Sequence, residues 1–434
     1  MQRTYIKDLA QHAGKEVTIL GFVQAFRDQK KIIFLNIRDV SGVVQAVLFS
    51  NDELLAQARE LSLESVVKVT GMAKAEAQAP GGVEIAVSAL EILTKAAPEL
   101  PIPVVVQKGG GEIDQPIRLD HRWIDLRRPE HRDIFKVWTL LEKGFRKYWN
   151  DNNFIQIYTP SFMSTPSETG AEVFSVDYFD KKAYLAQSPQ FYKQMAMAAG
   201  FERVFIAGPV FRAEESFTTR HLTEFTGWDF EISYIDNHHD IMDQEEGMIV
   251  EGFKAVKEAM PELFAEKGLE IPTMPFPRVT MLEAKKMLAE ANIPSGEDHD
   301  LSPEEERGLS TIIKEKHNHD FVFVTDYHKS KSAFYHMRHT DDMDRSRRAD
   351  LLYRGIEVTT LAQREHRIEI LEQQALEKGM SLEHLKDYLN FFRNGVPPHG
   401  GAGIGPGRLI MKMLDLANIR EATYLPRDVK RLNP

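Results

Sequence analysis

The feature that most limits the fold is a succession of five short β-rich runs near the N-terminus. They are EVTILGFVQAF, KIIFLNIRD, GVVQAVLF, SVVKVTGMAKA and VEIAVSALEIL, all between Glu16 and Leu93. Turn signals such as Asp39-Val-Ser-Gly42 and Pro80-Gly-Gly82 separate them. Five strands in so short a segment predict a small closed barrel. Among such barrels the OB-fold is the commonest oligonucleotide binder, although a fold alone does not assign a function.

The next segment, AAPELPIPVVVQKGGGEIDQPIR, is rich in Pro and Gly and marks a boundary near residues 95–118. The expected organisation is a barrel over residues 1–95, a linker over 96–128 and a larger domain over 129–434. That larger domain reads as α+β. A helix opens at Pro129, a favoured first-turn residue, and puts Ile134, Val137, Trp138, Leu141, Phe145 and Trp149 on one core-facing stripe. Strand-like runs follow at FIQIYTP, AYLAQSP, RVFIAGPVFRAE, WDFEISYI and DFVFVTDY, with helices expected around 240–267, 281–291 and 363–378.

Composition removes several kinds of chemistry. With Cys 0 there is no disulfide framework, thiol nucleophile or cysteine metal site, so carboxylates, Arg, Lys, His and bound ions must do the work. A net charge of -11 argues against coating nucleic acid non-specifically, which relies on neutralising many phosphates. Any RNA site would need local basic groups, such as Arg27, Lys30, Lys31 and Arg38, or Arg420, Arg427, Lys430 and Arg431. No run approaches the ~18–20 apolar residues that span a bilayer, and MQRTYIKDLAQ lacks a signal-peptide core, so a cytoplasmic protein without membrane contact is expected.

Two segments carry chemistry. In GPVFRAEESFTTRHLTEFTGWDFEISYI (208–235), Arg212 and Glu214 are two apart, so a strand would project both from one face. There Arg212 could reach a phosphate while Glu214 orients a neighbour. A loop from Glu215 to Arg220 returns into a second strand bearing Phe225, Asp229 and Glu231. Read alone, the charged pair fits a surface salt bridge better than a catalytic pair. In PPHGGAGIGPGRLIMKMLDLANI (397–419), Gly401, Gly403, Gly405 and Gly407 alternate and lead into Arg408 at a helix start, a place suited to polyphosphate. The run matches neither the dinucleotide fingerprint nor the P-loop, which ends in Gly-Lys-Ser/Thr.

Taken together and in order, Arg212-x-Glu214, His221-x-x-x-Phe225 and the glycine-rich run before Arg408 resemble motifs 2 and 3 of class II aminoacyl-tRNA synthetases. Phe154 to Pro160 resembles motif 1, which in that family builds the dimer interface, so the resemblance implies a homodimer with Pro160 at its contact. RWIDLRRPE, LAQSPQFYKQ, QREHR and YLPRDVKRLNP extend the likeness over nearly the whole chain, in the compact form that lacks the inserted bacterial domain. The implied fold is an OB barrel followed by a catalytic domain built on an antiparallel sheet flanked by helices.

The resemblance implies these roles. Arg212 would hold the α-phosphate of ATP and Arg408 the γ-phosphate, with Glu214, His221 and Gly405 also at the nucleotide and Phe225 stacked on adenine. Asp350 and Glu357 would bind Mg2+. Glu168, Gln190, Asp229 and Thr360 would surround the amino acid together with Arg212, and Lys193 and Arg364 would engage a side-chain carboxylate. Asparaginyl members of the group, the alternative reading, typically lack the lysine of QSPQFYKQ, so Lys193 favours L-aspartate. Two positions depart from the family pattern: Thr359-Thr-Leu-Ala362, where glycines are usual, and Gly407, where Glu is usual. In the barrel, Arg27, Phe34 and Gln45 match anticodon-contacting positions, implying tRNA-Asp as partner and leaving tRNA-Asn open. From the residues alone, Phe34 fits a barrel core equally well. His238, His239, His317 and His319 lack metal-ligand context and are expected at the surface.

Overall fold

The computed structural model describes residues 3–49, 51–105, 111–167 and 173–434, in two compact units, Met1–Arg128 and Pro129–Pro434. In the first, β1 (Glu16–Asp28), β2 (Ile32–Arg38), β3 (Val43–Phe49), β4 (Val66–Ala75) and β5 (Val83–Thr94) close in the order β1-β2-β3-β5-β4. Side chains alternate across each strand. Ile33, Leu35 and Ile37 therefore enter the barrel core with Ile19, Val23, Leu48, Val67 and Ile85, while Phe34 takes the outer face. Closure satisfies the ladder on every strand and leaves no edge for aggregation.

The expected linker holds structure at its C-terminal end. Short helices form at Gln115–Asp120 and Arg122–Asp125. Arg127 reaches Glu64 at 3.1 Å, and Glu64 also meets Arg38 at 2.7 Å in the same buried cluster. Residues 106–110 lie outside the described part.

The second unit is built on an eight-stranded sheet. Its strands are β6 (Ile155–Gln156), β10 (Arg203–Phe211), β11 (Glu224–Ser233), β12 (Arg278–Thr280), β13 (Phe321–Thr325), β14 (Arg348–Tyr353), β15 (Ile356–Arg364) and β16 (His399–Ile404). Their order is β12-β13-β14-β15-β16-β11-β10-β6, antiparallel except at the β12–β13 and β10–β6 pairs. A small sheet of β7 (Phe162–Met163), β9 (Lys181–Leu185) and β8 (Ser175–Tyr178) sits apart from it in the pairing. The helix Pro129–Asp151 buries Ile134, Val137, Leu141, Phe145 and Trp149 against the sheet, where Trp149 stacks on Phe205 at 4.3 Å. It also runs against the helix His239–Ala259. A Cβ on Gly144 would lie 2.3 Å from the Glu251 carbonyl oxygen, so only glycine permits that approach.

Several expectations need correction. Trp138 is half-buried rather than core, and its Nε1 donates to the Ala422 carbonyl at 2.7 Å. The helix expected at 363–378 begins only at Ile368, because β15 continues through Arg364, paired with His399. Pro261 breaks the helix expected over 240–267 into His239–Ala259 and Pro261–Glu266. β10 ends at Phe211, so Arg212 and Glu214 occupy the loop beyond it rather than one strand face. His238 and His319 are buried; His319 Nδ1 accepts from the Phe321 amide at 3.0 Å and its Nε2 lies 3.1 Å from the Thr273 carbonyl oxygen, whereas His239 and His317 are exposed as expected.

Candidate active site

A cleft of about 1040 Å³ opens over the sheet where β10, β11, β15 and β16 meet the helix Gln190–Ala198 and the start of the helix Pro406–Met413. Cationic groups stand at two places on its wall. At one, the Arg212 guanidinium lies 5.5 Å from the centre of the Phe225 ring, 3.4 Å from the Gln187 carbonyl oxygen and 3.7 Å from Glu214. Across from it, Arg408 donates to the Glu357 backbone carbonyl at 3.1 Å and meets the Glu357 carboxylate at 3.6 Å. His221 lies 4.0 Å from Glu214 and shares a hydrogen bond with the Thr218 hydroxyl. Burial and the charge of Arg408 hold its pKa below the usual histidine value, which favours the neutral ring. Arg212 and Arg408, an aromatic face and half-exposed acids thus line one arm.

The other arm is more deeply buried and explains the first two of the alternating glycines, Gly401 and Gly403. Asp229 and Glu231 project from the same side of β11, and in register they lie opposite Gly403 and Gly401 of β16. A Cβ on Gly401 would stand 2.3 Å from a Glu231 carboxylate oxygen, and one on Gly403 would stand 3.2 Å from Asp229. The bare backbone makes room for the two carboxylates. Into them reach two cations: Lys193, only 1% exposed, and Arg364, 3% exposed. Lys193 Nζ is 2.9 Å from Asp229, 3.4 Å from Glu231 and 3.0 Å from the Ala402 carbonyl oxygen. Arg364 Nε donates to Glu231 at 3.0 Å, and one of its terminal nitrogens donates to the Gly401 carbonyl at 2.9 Å. Two positive and two negative groups leave the arm neutral. Arg364 and Lys193 hold the Glu231 carboxyl below its ordinary range against the opposing effect of burial. Glu231 is the residue whose role sequence reasoning missed. Its signal was present as two acids two positions apart on one strand.

Thr360 lies between the arms. Its hydroxyl donates to Glu357 at 3.3 Å, and its backbone is in register with Asp350 in the β14–β15 ladder. Asp350 is buried and takes Arg348 at 2.6 Å, while Glu357 faces the cleft. Burial, reinforced by the charge of Glu357, lifts Asp350 to about 6. Carboxylate oxygens such as those of Asp350 and Glu357 fit a hard cation completed by phosphate oxygens. Among the described residues no group of three or more potential metal ligands occurs. Nearby, Arg220 meets Glu306 at 2.6 Å, and burial lifts Glu306 to about 7.

The remaining candidate residues fall elsewhere or outside the description. Glu168 lies outside the described residues. Arg27, Phe34 and Gln45 sit on the adjacent strands β1, β2 and β3. Arg27 is directly opposite Phe34, while Gln45 is paired with Asn36, two positions from Phe34. Gln45 donates to Glu84 at 3.3 Å. Pro160 is exposed between β6 and β7, close in sequence to the exposed Ile155, Tyr158 and Phe162. Gly405 precedes the helix Pro406–Met413, and its amide donates to the Val358 carbonyl at 2.8 Å. No helix among the described residues is long and apolar enough to cross a membrane.

An antiparallel sheet carrying a cleft with two arginines at one arm and a buried charge quartet at the other, in a chain that also holds an OB barrel, defines a class II aminoacyl-tRNA synthetase. Residues 114–429 match the family described as tRNA synthetases class II (D, K and N), and residues 17–93 match the OB-fold nucleic acid binding domain. The chain belongs to that D, K and N group of class II synthetases. It is 40% identical to the Aspartate--tRNA(Asp/Asn) ligase of Aeropyrum pernix, over 97% of this chain and 96% of that one. It is 41% identical to the Aspartate--tRNA(Asp) ligase of Pyrococcus furiosus, over 97% of each. Among solved structures, asparaginyl-tRNA synthetase from Pyrococcus horikoshii with asparaginyl-adenylate superposes with a TM-score of 0.92 at 32% identity, covering 100% of both chains.

Proposed function

We propose that this chain is an aspartate–tRNA ligase, and that Lys193 and Arg364 select the side-chain carboxylate of L-aspartate. The observation carrying this is the pairing of two buried cations at one end of a cleft whose other end offers Arg212 and Arg408. Lysine and arginine only donate hydrogen bonds, so a carboxylate satisfies both while an amide would turn its own NH2 toward one of them. Gln190 and Asp229 take the α-ammonium. Arg212 engages the α-phosphate of ATP and the amino-acid carboxylate, Arg408 the γ-phosphate, and Phe225 stacks on adenine, with Glu214, His221 and Gly405 completing the nucleotide arm.

The aspartate α-carboxylate attacks the α-phosphorus of ATP and pyrophosphate leaves. The 3′-hydroxyl of the terminal adenosine of tRNA then attacks the aspartyl carbonyl and AMP leaves. No side chain forms a covalent bond in either step. Arg212 and Arg408 supply positioning and neutralise charge that builds on the phosphates, and each such effect is worth several kcal/mol, on the order of 3. Asp350 and Glu357 would hold Mg2+, which supplies further charge neutralisation at the phosphates when bound. On the barrel, Phe34 stacks on an anticodon base, with Arg27 and Gln45 beside it; an outward ring suits this because every base has a π-face. The exposed motif 1 segment around Pro160 forms a homodimer contact, which light scattering at micromolar concentration checks by showing a dimer rather than a monomer.

ATP–pyrophosphate exchange with aspartate and with asparagine tests the amino acid. Exchange driven by asparagine as well as by aspartate refutes the proposed selectivity. The range of tRNA extends to tRNA-Asn in this reading, as in the relatives named for both, and charging of purified tRNA-Asp and tRNA-Asn decides it.

A further inference from the structure

Behind the amino-acid arm runs a buried row of polar side chains to which none of the roles above is assigned. His399, the fully buried first residue of β16, has ring Nδ1 2.8 Å from the Pro397 carbonyl oxygen and Nε2 3.0 Å from Gln194 Nε2. A carbonyl can only accept, so Nδ1 carries the ring proton and Nε2 is left as an acceptor. Burial pushes the ring down to about 4 and keeps it in that neutral form near pH 7. The ring therefore dictates which end of Gln194 faces it: the NH2. The Gln194 carbonyl is turned the other way, where it accepts from Tyr388 Oη at 3.0 Å and from Gln190 Nε2 at 2.9 Å. Gln190 and Gln194 are four apart on one helix, the spacing that brings two side chains together. Having given its NH2 to Gln194, Gln190 keeps its carbonyl oxygen for the cleft it lines.

We propose that His399, Gln194 and Tyr388 form a relay that fixes the polarity of the Gln190 amide, so that an acceptor rather than a donor meets the α-ammonium of the amino acid. All three are positioning residues, acting through Gln190. The relay rests on the reading of this arm as an aspartate site. If the amide were reversed, its NH2 would face an ammonium, two donors with no acceptor between them, and the bond would be lost while packing stayed the same.

The test separates ammonium recognition from everything else in the cleft. Succinate keeps both carboxylates of aspartate and lacks the amino group. The affinity for aspartate and the inhibition constant of succinate are measured in ATP–pyrophosphate exchange for the full-length protein and for Gln194→Met, with the KM for ATP as control. The expected result is a loss of aspartate affinity of about tenfold or more with succinate inhibition unchanged. Adding Gln190→Glu, whose carboxylate has no wrong end, restores the preference for aspartate over succinate. Tyr388→Phe removes one hydroxyl and keeps the packing; it lowers the same preference about threefold, and serves if Gln194→Met does not fold. The relay is overturned if aspartate and succinate weaken together in Gln194→Met, if the preference stays at the wild-type value in the variants that fold, or if Gln190→Glu fails to restore it. A wild-type protein without aspartate-dependent exchange overturns the aspartate site itself, and the relay with it.

Discussion

Replacing Lys193 with Leu probes the choice of amino acid most directly. In the neutral quartet Lys193 faces Asp229 at 2.9 Å and Glu231 at 3.4 Å, so its loss takes the cation from Asp229 and leaves Arg364 paired with Glu231. The net charge of the arm falls from zero to minus one. At an effective dielectric near 20, unit charges about 3 Å apart attract by about 6 kcal/mol. Desolvation and repulsion from Asp229 and Glu231 reduce what an arriving carboxylate gains to about 2–5 kcal/mol, the range for truncating one member of a buried charged hydrogen bond. The expected fall in kcat/KM for aspartate is therefore about 30- to several-thousand-fold. Asparagine carries no side-chain charge and loses less, so discrimination falls with it. The KM for ATP barely changes, because the nucleotide arm is lined by other residues. Pyrophosphate exchange with each amino acid, on a variant whose circular dichroism matches wild type, gives the ratio. An unchanged aspartate-to-asparagine ratio refutes the argument, since Lys193 would then be serving only its own carboxylates.

Arg212→Ala and Arg408→Ala should each cut adenylate formation by about 10²-fold or more without unfolding the chain, because Arg212 is partly exposed and its ion pair to Glu214 is long, at 3.7 Å; near-normal exchange would remove their assigned role. Phe34→Ala and Gln45→Ala should impair tRNA charging and spare tRNA-independent activation, whereas equal loss of both would mark a structural role. Glu245 is fully buried, and burial lifts it to about 8. Because the folded pKa is raised above the unfolded value of 4.5, the folded state binds the extra proton between pH 4.5 and about 8, and stability falls as pH rises through that window. At about 1.36 kcal/mol per unit, roughly 3 kcal/mol is lost by pH 7. Glu245→Gln should raise the melting temperature at pH 7 and flatten its decline from pH 5 to 8 relative to wild type, and parallel profiles would contradict the assignment.

What the sequence revealed depended on how far apart the interacting residues lie. The barrel strands were legible because each is a β-rich run, with turn signals such as Asp39-Val-Ser-Gly42 and Pro80-Gly-Gly82 between them. The side taken by Phe34 was not, since KIIFLNI is apolar at nearly every position and the pleat alone decides which ring points out. Arg212, Glu214 and Phe225 stood out as a local cluster, although the end of β10 at Phe211 was invisible without the neighbouring strand. The counter-ions were hidden for a different reason. Glu231 meets Arg364 from 133 positions away, and Gln194 meets His399 from 205. Such pairs exist only after the sheet has assembled, and no periodicity within a strand announces them.

The floor of the amino-acid arm is backbone. Gly401 lies so close to Phe230 and Glu231 that a Cβ there would stand 2.0 Å from the Phe230 carbonyl oxygen. This leaves β16 with almost no freedom to explore new side chains, and any drift in substrate range has to come through the walls. A library aimed at other amino acids therefore belongs at Gln187–Lys193 and Thr360–Arg364, with residues 400–403 held constant. Substitutions at Gly400 or Gly401, where a Cβ would meet backbone, would be read out as misfolded protein rather than as altered specificity.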